Sequence, residues 1–387
     1  MKKRYLDNAS TTFPKPETVA RAVYEYMTEQ GCNINRGCYD AAYSVEERVL
    51  ETRQLLCELF HGADCRNVVF TKNVTESLNV LLKGFLKPGD HVLVSAMEHN
   101  AVMRPLVQLG ENGVSFSRIP CTGEGELLTA EMEPLLRENT RAVVMTHAGN
   151  VCGTVMPLAE VGRFCREHGL RLIVDCAQTA GVLPIDMEAM GIDALAFTGH
   201  KGLLGPQGIG GFLLREGFAA QITPLLSGGT GSISHTERVP DFMPDRFEPG
   251  TPNLPGILGL RAGLLWLKET GIGRVYAHEQ ALTEAFLQGL APLESAGLLR
   301  IVGKKTAQGR VGVVSVQTLT KELSEAAWAL DEQYGIMTRV GLHCAPNAHK
   351  TLGTYPTGTI RFSFGWWNDI NDVEAACAAL KEICHGI

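Results

Sequence analysis

The sequence predicts an α/β fold: a large domain on a mainly parallel sheet, then a smaller α+β domain towards the C-terminal end. Three observations predict it. Short apolar runs alternate with amphipathic stretches of crossover-helix length through the first two thirds of the chain. Most of those runs are continuous rather than alternating, which suits strands buried on both faces. From residue 227 to 256 the composition turns to Gly, Pro, Ser and Thr, as a long loop region would.

The apolar runs expected as strands are 67–71, 91–96, 142–146, 171–175, 194–198 and 209–214. Amphipathic stretches such as 76–86 and 158–168 are expected as helices between them. Beyond the loop region, a helical stretch over 254–290 leads into an α+β tail ending in a helix near 372–383.

Composition removes several function classes. The 387 residues carry 42 acidic and 35 basic side chains, a net charge of −7, which argues against a phosphate-backbone binder and so against nucleic acid. Hydrophobic residues make up 45%, enough for two or three domains with real cores. No uncharged stretch reads as a membrane span, since Thr, His, Asn, Gly and Pro interrupt them. The opening Met1-Lys-Lys-Arg-Tyr-Leu-Asp-Asn has no apolar run, so no secretory signal is expected. Eleven cysteines, an odd number without a C-x-x-C pair, argue against a disulfide framework and a metal site. The expectation is a cytoplasmic protein with reduced thiols.

Lys201 lies in Thr198-Gly-His-Lys-Gly202, where an apolar strand ends among glycines. Ligands gather at the carboxyl ends of strands in such sheets. A desolvated lysine there has a lowered pKa and becomes a good nucleophile towards an aldehyde. Asp175 closes another strand 26 residues earlier, placed to pair with a protonated ring nitrogen. Pyridoxal phosphate needs that combination of amine and acid. Taken singly, Lys201 reads as a solvated loop lysine and Asp175 as a helix cap.

Thr71-Lys-Asn-Val-Thr-Glu-Ser77 runs from a strand into a helix, with Thr75 expected at the N-cap, where free N–H groups favour phosphate. Neither a Walker A pattern nor G-x-G-x-x-G occurs, so the phosphate is not expected to be a nucleotide's. His99 follows the strand at 91–96 and could stack on a flat ring and move protons. Arg339 and Arg361 flank a Gly- and Pro-punctuated segment containing His343 and Cys344. Arginines grip carboxylates in two-pronged fashion, and a thiol near cations gains thiolate character. Ten other cysteines compete with Cys344 on composition alone.

Taken together, these residues resemble one family. The chain is similar to class V aminotransferase-fold enzymes of the cysteine desulfurase and selenocysteine lyase group, from Tyr5-Leu-Asp-Asn-Ala-Ser-Thr-Thr12 to Arg361-Phe-Ser-Phe-Gly-Trp-Trp-Asn368. Between them, in family order, stand Thr75-Glu76, Glu98-His99, Asn150-Val-Cys-Gly153, Val174-Asp-Cys-Ala-Gln178, Thr198-Gly-His-Lys201, Glu248-Pro-Gly-Thr-Pro-Asn253 and Arg339-Val-Gly-Leu-His-Cys344.

The resemblance implies a PLP-dependent transferase fold of type I. It implies an N-terminal segment (1–20) packing with the small domain, a large PLP-binding domain (21–258) and a small C-terminal domain (259–387). It implies that Lys201 binds pyridoxal 5'-phosphate and shuttles the Cα proton, with Asp175 on the ring nitrogen, Gln178 on the ring oxygen and His99 stacked on the ring. Thr75, Thr198 and His200 would hold the phosphate, joined by the partner subunit's Thr251 in a homodimer. Asn150 and Arg361 would bind the substrate carboxylate, with Arg339 nearby. Asn35-Arg36-Gly37 would line the approach to the site.

Cys344 would take sulfur from L-cysteine as a persulfide for an acceptor protein. Only 17 positions separate Cys344 from Arg361, as in the short-loop enzymes of the group. Leu342 and Asn100 stand where histidines are common in it. Selenocysteine lyase, another class V aminotransferase or lyase, and a non-catalytic relative that kept the fold are the alternative readings.

Overall fold

A computed structural model describes residues 3–35, 37 and 39–386. Arg36 and Cys38 lie outside the described residues. The first elements are β1 (Arg4–Tyr5), α1 (Glu17–Glu25), α2 (Asp40–Leu59), β2 (Val68–Thr71), α3 (Val74–Phe85), β3 (His91–Ser95), α4 (Asn100–Gly110) and β4 (Ser115–Ile119). β5 (Thr140–Thr146), α5 (Leu158–Glu167), β6 (Arg171–Asp175), β7 (Ala194–Thr198) and β8 (Gly210–Leu214) complete the large sheet.

Its seven strands run β2-β8-β7-β6-β5-β3-β4. The β7-β6, β6-β5, β5-β3 and β3-β4 pairs are parallel. β8 departs from this pattern: it lies antiparallel to both β2 and β7. Its run of five fully buried residues looks the same in sequence as a parallel strand, because burial on both faces sets the pattern whatever the strand direction. Alternate residues face opposite sides, so Val68 and Leu93 join one core while Val69, Val92 and Val94 join another.

The helical stretch expected over 254–290 is two helices, α6 (Leu254–Thr270) and α7 (Ile272–Ser295), divided at Gly271 with φ +85°. A residue with a Cβ resists that left-handed backbone, and glycine accepts it. α6 packs against α1 and α2, so residue 258 falls inside a helix seated on the large sheet's side.

The remaining elements are β9 (Leu299–Val302), β10 (Val313–Thr318), α8 (Leu323–Tyr334), β11 (Ile336–Met337), β12 (Arg339–Gly341), α9 (Pro346–Thr351), β13 (Thr359–Ser363) and α10 (Ile370–His385). They build an antiparallel sheet in the order β12-β13-β10-β9, with its own apolar core. The first strand joins this part of the molecule. β1 pairs in parallel with β11, and Leu6 is buried in the same core as Ile360 and Phe362.

Candidate active site

The carboxyl ends of β3, β5, β6 and β7 converge, as in any doubly wound sheet. Asp175 is the last residue of β6 and is only 3% exposed. One of its oxygens accepts from Ala177 N at 2.9 Å, which fixes the carboxylate in the turn. Burial raises its pKa, opposed by that hydrogen bond and by the Lys201 ammonium. Lys201 follows β7 in a glycine-rich turn. Burial first, then Arg361, lowers its amine to about 8, while Asp175 acts in the opposite sense. Amine and acid are therefore close enough to govern each other's charge.

His99 is the N-cap of α4. Its Nδ1 accepts from Ala101 N at 3.0 Å, so in the neutral ring the proton resides on Nε2. Burial, with Lys201, Arg339, Arg361 and Arg104 adding to it, lowers its pKa to about 4. The ring is neutral near pH 7 and presents an N–H donor.

Thr198 Oγ1 and His200 Nδ1 are buried without a hydrogen-bond partner. Burying such groups unpaired is costly, so an acceptor-rich ligand at this place would repay both. Thr75 stands in the first turn of the adjacent α3. The expected N-cap role is corrected, however: Asn73 caps α3, its side chain accepting from Glu76 N at 3.0 Å. An Asn two residues earlier takes the position because its short amide reaches that N–H from extended backbone. Gly210 of β8 closes the cradle. A Cβ there would stand 2.7 Å from Asn73 Cα. A phosphate, a protonated ring nitrogen and an aldehyde are the chemistry this donor set fits.

Gln178 donates to Ala9 O at 3.2 Å. Thr251 is exposed and lines a cavity of about 240 Å³ together with Thr71, Lys72 and Glu76. Asn35 donates to Thr230 O at 2.8 Å. The Asn35-Arg36-Gly37 segment as a whole cannot be placed, since Arg36 is outside the described residues.

The small domain brings the remaining groups. Arg361 on β13 is 1% exposed; its guanidinium donates to Asn150 O at 3.0 Å, Asp7 Oδ1 at 3.0 Å and Ser10 Oγ at 2.8 Å. Arg339 on β12 donates to the same Ser10 Oγ at 2.9 Å. Asn150 spends its amide on His343 O, at 2.7 Å. Cys344 is exposed and lies in a turn where both it (φ +57°) and His343 (φ +47°) take left-handed backbone. Two consecutive non-glycine residues in that region store strain. The turn is held by Asn150 on one side and by Asn100 N, which donates to Cys344 O at 2.8 Å, on the other.

Several contributors carried no role on sequence grounds. Asp7 and Ser10 sit inside the quoted Tyr5–Thr12 motif, yet nothing local says they reach Arg361. Lys15 donates to His200 O at 2.5 Å, and burial lowers its pKa to about 7. Glu98 is 1% exposed and burial raises its carboxyl to about 8. It accepts from Ser95 Oγ at 2.5 Å and Thr146 N at 3.0 Å, tying the ends of β3 and β5 together beside His99.

Comparison with known proteins shows the family of the chain. The aminotransferase class-V family model matches residues 4–376, and the chain belongs to that family. A Methanothermobacter thermautotrophicus protein named "Probable cysteine desulfurase" is 33% identical over 386 residues, covering 98% of this chain and 94% of the relative. The cysteine desulfurase of Dickeya dadantii is 32% identical, covering 98% of this chain and 91% of its own. The structure of the cysteine desulfurase of Thermococcus onnurineus NA1, solved without ligand, superposes with a TM-score of 0.92 at 31% identity. That match covers 100% of this chain and 95% of that one. No described helix is long and apolar enough to cross a membrane.

Proposed function

We propose that this chain is a pyridoxal-phosphate-dependent cysteine desulfurase that converts L-cysteine to L-alanine and holds the sulfur as a persulfide on Cys344. The observation that carries this reading is one place of convergence. Lys201 and Asp175 face each other's charge at neighbouring strand ends, while the Cys344 turn is bonded to the helix that His99 caps.

When bound, the cofactor supplies an electron sink that makes the Cβ–S bond of cysteine labile. Thr75, Thr198 and His200 would hold its phosphate, with the partner subunit's Thr251 in a homodimer. Asp175 would pair with its ring nitrogen, Gln178 would hydrogen-bond its ring oxygen, and His99 would stack on the ring. Lys201 would hold its aldehyde until the substrate's amine displaces it, and the freed Nζ, an amine with a pKa of about 8, would then accept the Cα proton and return it near neutral pH. Asn150 and Arg361, with Arg339 beside them, bind the substrate carboxylate. Cys344 Sγ, as thiolate, forms the new S–S bond to the substrate sulfur. The Cβ–S electron pair stays on Cβ, which is protonated to the methyl group of alanine. The persulfide then passes to a protein acceptor in the cytoplasm.

The test is product analysis with L-cysteine, selenocysteine and cystine, on the wild type and Cys344→Ala side by side. A yellow protein releasing alanine and sulfide from L-cysteine with a reductant supports the reading, and Cys344→Ala should stay yellow and inactive. Protein that stays colourless with added cofactor ends it. Undiminished desulfuration by Cys344→Ala removes Cys344 as the acceptor, and turnover of selenocysteine alone makes the chain a selenocysteine lyase.

A further inference from the structure

Arg339 and Arg361 stand directly opposite each other in the antiparallel β12–β13 pair. Like charges so placed repel and weaken a sheet, so this pairing is maintained by something outside it. The neighbouring group is Ser10. Its hydroxyl accepts from Arg339 at 2.9 Å and from Arg361 at 2.8 Å, and donates to Asp7 Oδ1 at 2.8 Å. One proton and two lone pairs are all that a serine hydroxyl has, so Ser10 is fully used. Asp7 also bonds Arg361 directly, at 3.0 Å.

The turn bearing these two residues is held rigidly. Ser10 N donates to Asp7 O, and the Tyr5 hydroxyl shares its one proton between Thr11 O at 2.8 Å and Asp7 O at 3.1 Å. Asn8 and Ala9 are bonded to Ser363, two residues beyond Arg361 on the same strand. Two guanidinium groups thus meet one carboxylate, leaving an excess of one positive charge that a second carboxylate would complete.

We propose that Ser10, oriented by Asp7, is the positioning residue that sets Arg361 and Arg339 for the substrate carboxylate, making the N-terminal turn a determinant of specificity for amino acids over simple amines. This rests on the reading of Arg361 as the carboxylate ligand. The Ser10 hydroxyl is taken up by Asp7, Arg339 and Arg361. Its contribution therefore falls on binding of the carboxylate rather than on the chemical step.

The experiment uses the cofactor-loaded enzyme and two probes, L-cysteine and cysteamine, which lacks the carboxylate. Binding is read from the change in cofactor absorbance, and KM and kcat are measured for L-cysteine. A hydrogen bond to a charged group is worth about 1.5–3 kcal/mol, so Ser10→Ala should weaken L-cysteine binding and raise KM about tenfold or more. The variant's kcat should change far less, and cysteamine binding and the resting absorbance should stay as in wild type. Ser10→Thr, which keeps the hydroxyl, should restore most of the affinity.

Arg361→Ala separates the two claims. If it leaves L-cysteine binding intact, the carboxylate-ligand reading fails and the proposal with it. If it abolishes selective binding while Ser10→Ala does not weaken it, the positioning role alone is overturned. Equal weakening towards both probes, or no recovery in Ser10→Thr, also overturns it.

Discussion

The amide of Asn100 donates to the carbonyl of Cys344 at 2.8 Å, joining the first residue of α4 to the turn that displays the thiol. His99, one residue earlier, is thereby tied to Cys344 by backbone alone. Proline fits the first helical position, where its missing N–H is otherwise harmless, and His99 already has the extended backbone that precedes a proline (φ −73°, ψ 155°). Asn100→Pro should therefore fold normally while releasing Cys344. The expected result is faster alkylation of Cys344 by iodoacetamide and a lower kcat, with cofactor absorbance unchanged. An unchanged alkylation rate and kcat would show that this bond does not hold the turn.

Acid should destabilise the protein through its histidines. Burial lowers His91, His99, His147, His200 and His349 to about 4, and His343 to about 2. A histidine depressed in the folded state binds its proton first in the unfolded chain. The stability linked to it is complete above the usual value of 6.5 and is lost as pH falls from there through the folded values. Thermal unfolding followed from pH 7 to pH 4 should show a steep fall, and replacing His147 with Gln should flatten part of it.

Glu279 works in the opposite sense. Burial raises this α7 carboxyl from 4.5 to about 8. The stability linked to it is complete below pH 4.5 and is lost as pH rises towards 8, because the unfolded chain releases the proton first. Glu279→Gln, which keeps the shape of the neutral acid, should raise the melting temperature at pH 8 relative to wild type. The difference should vanish near pH 4, and a constant difference across this range would contradict the assignment.

Arg53 and Glu248 form a two-pronged ion pair, at 2.8 and 2.6 Å, with side chains 8% and 16% exposed. Glu248 begins the loop that carries Thr251. Removing one partner of a buried pair leaves an uncompensated charge, so Arg53→Met should cost about 3–5 kcal/mol in denaturant unfolding. It should also speed cofactor loss on dialysis, since the Thr251 loop loses its anchor.

Gly210→Ala should weaken cofactor retention with little change in substrate KM. The added methyl would meet Asn73 Cα at 2.7 Å and push the N-terminus of α3 away from Thr198. Equilibrium dialysis against pyridoxal phosphate would measure this directly.

Much of this site was legible in the sequence because its parts are local. The runs at 171–175 and 194–198 coincide with β6 and β7, since unbroken apolar residues bounded by polar turns leave few alternatives. Asp175 and Lys201 follow from standing at those strand ends. Thr75 was misplaced by two residues because Asn73, equally able to cap, precedes it in the same polar stretch. The direction of β8 was not legible, as burial alone cannot distinguish parallel from antiparallel strands. Neither were the Ser10 contacts nor the left-handed His343–Cys344 pair, which arise from tertiary packing that leaves no local periodicity.

The bond from Arg361 to Asp7 spans 354 positions of sequence, and the one from Asn8 to Ser363 spans 355. During synthesis Asp7, Asn8 and Ser10 leave the ribosome long before their partners exist. The large sheet can assemble in the meantime, because its strands all lie between Val68 and Leu214. Contacts this distant in sequence close late, after most chain entropy has been lost elsewhere. A chain arrested before β13 could thus build the Lys201 end of the site but not the Arg361 contacts of the N-terminal turn.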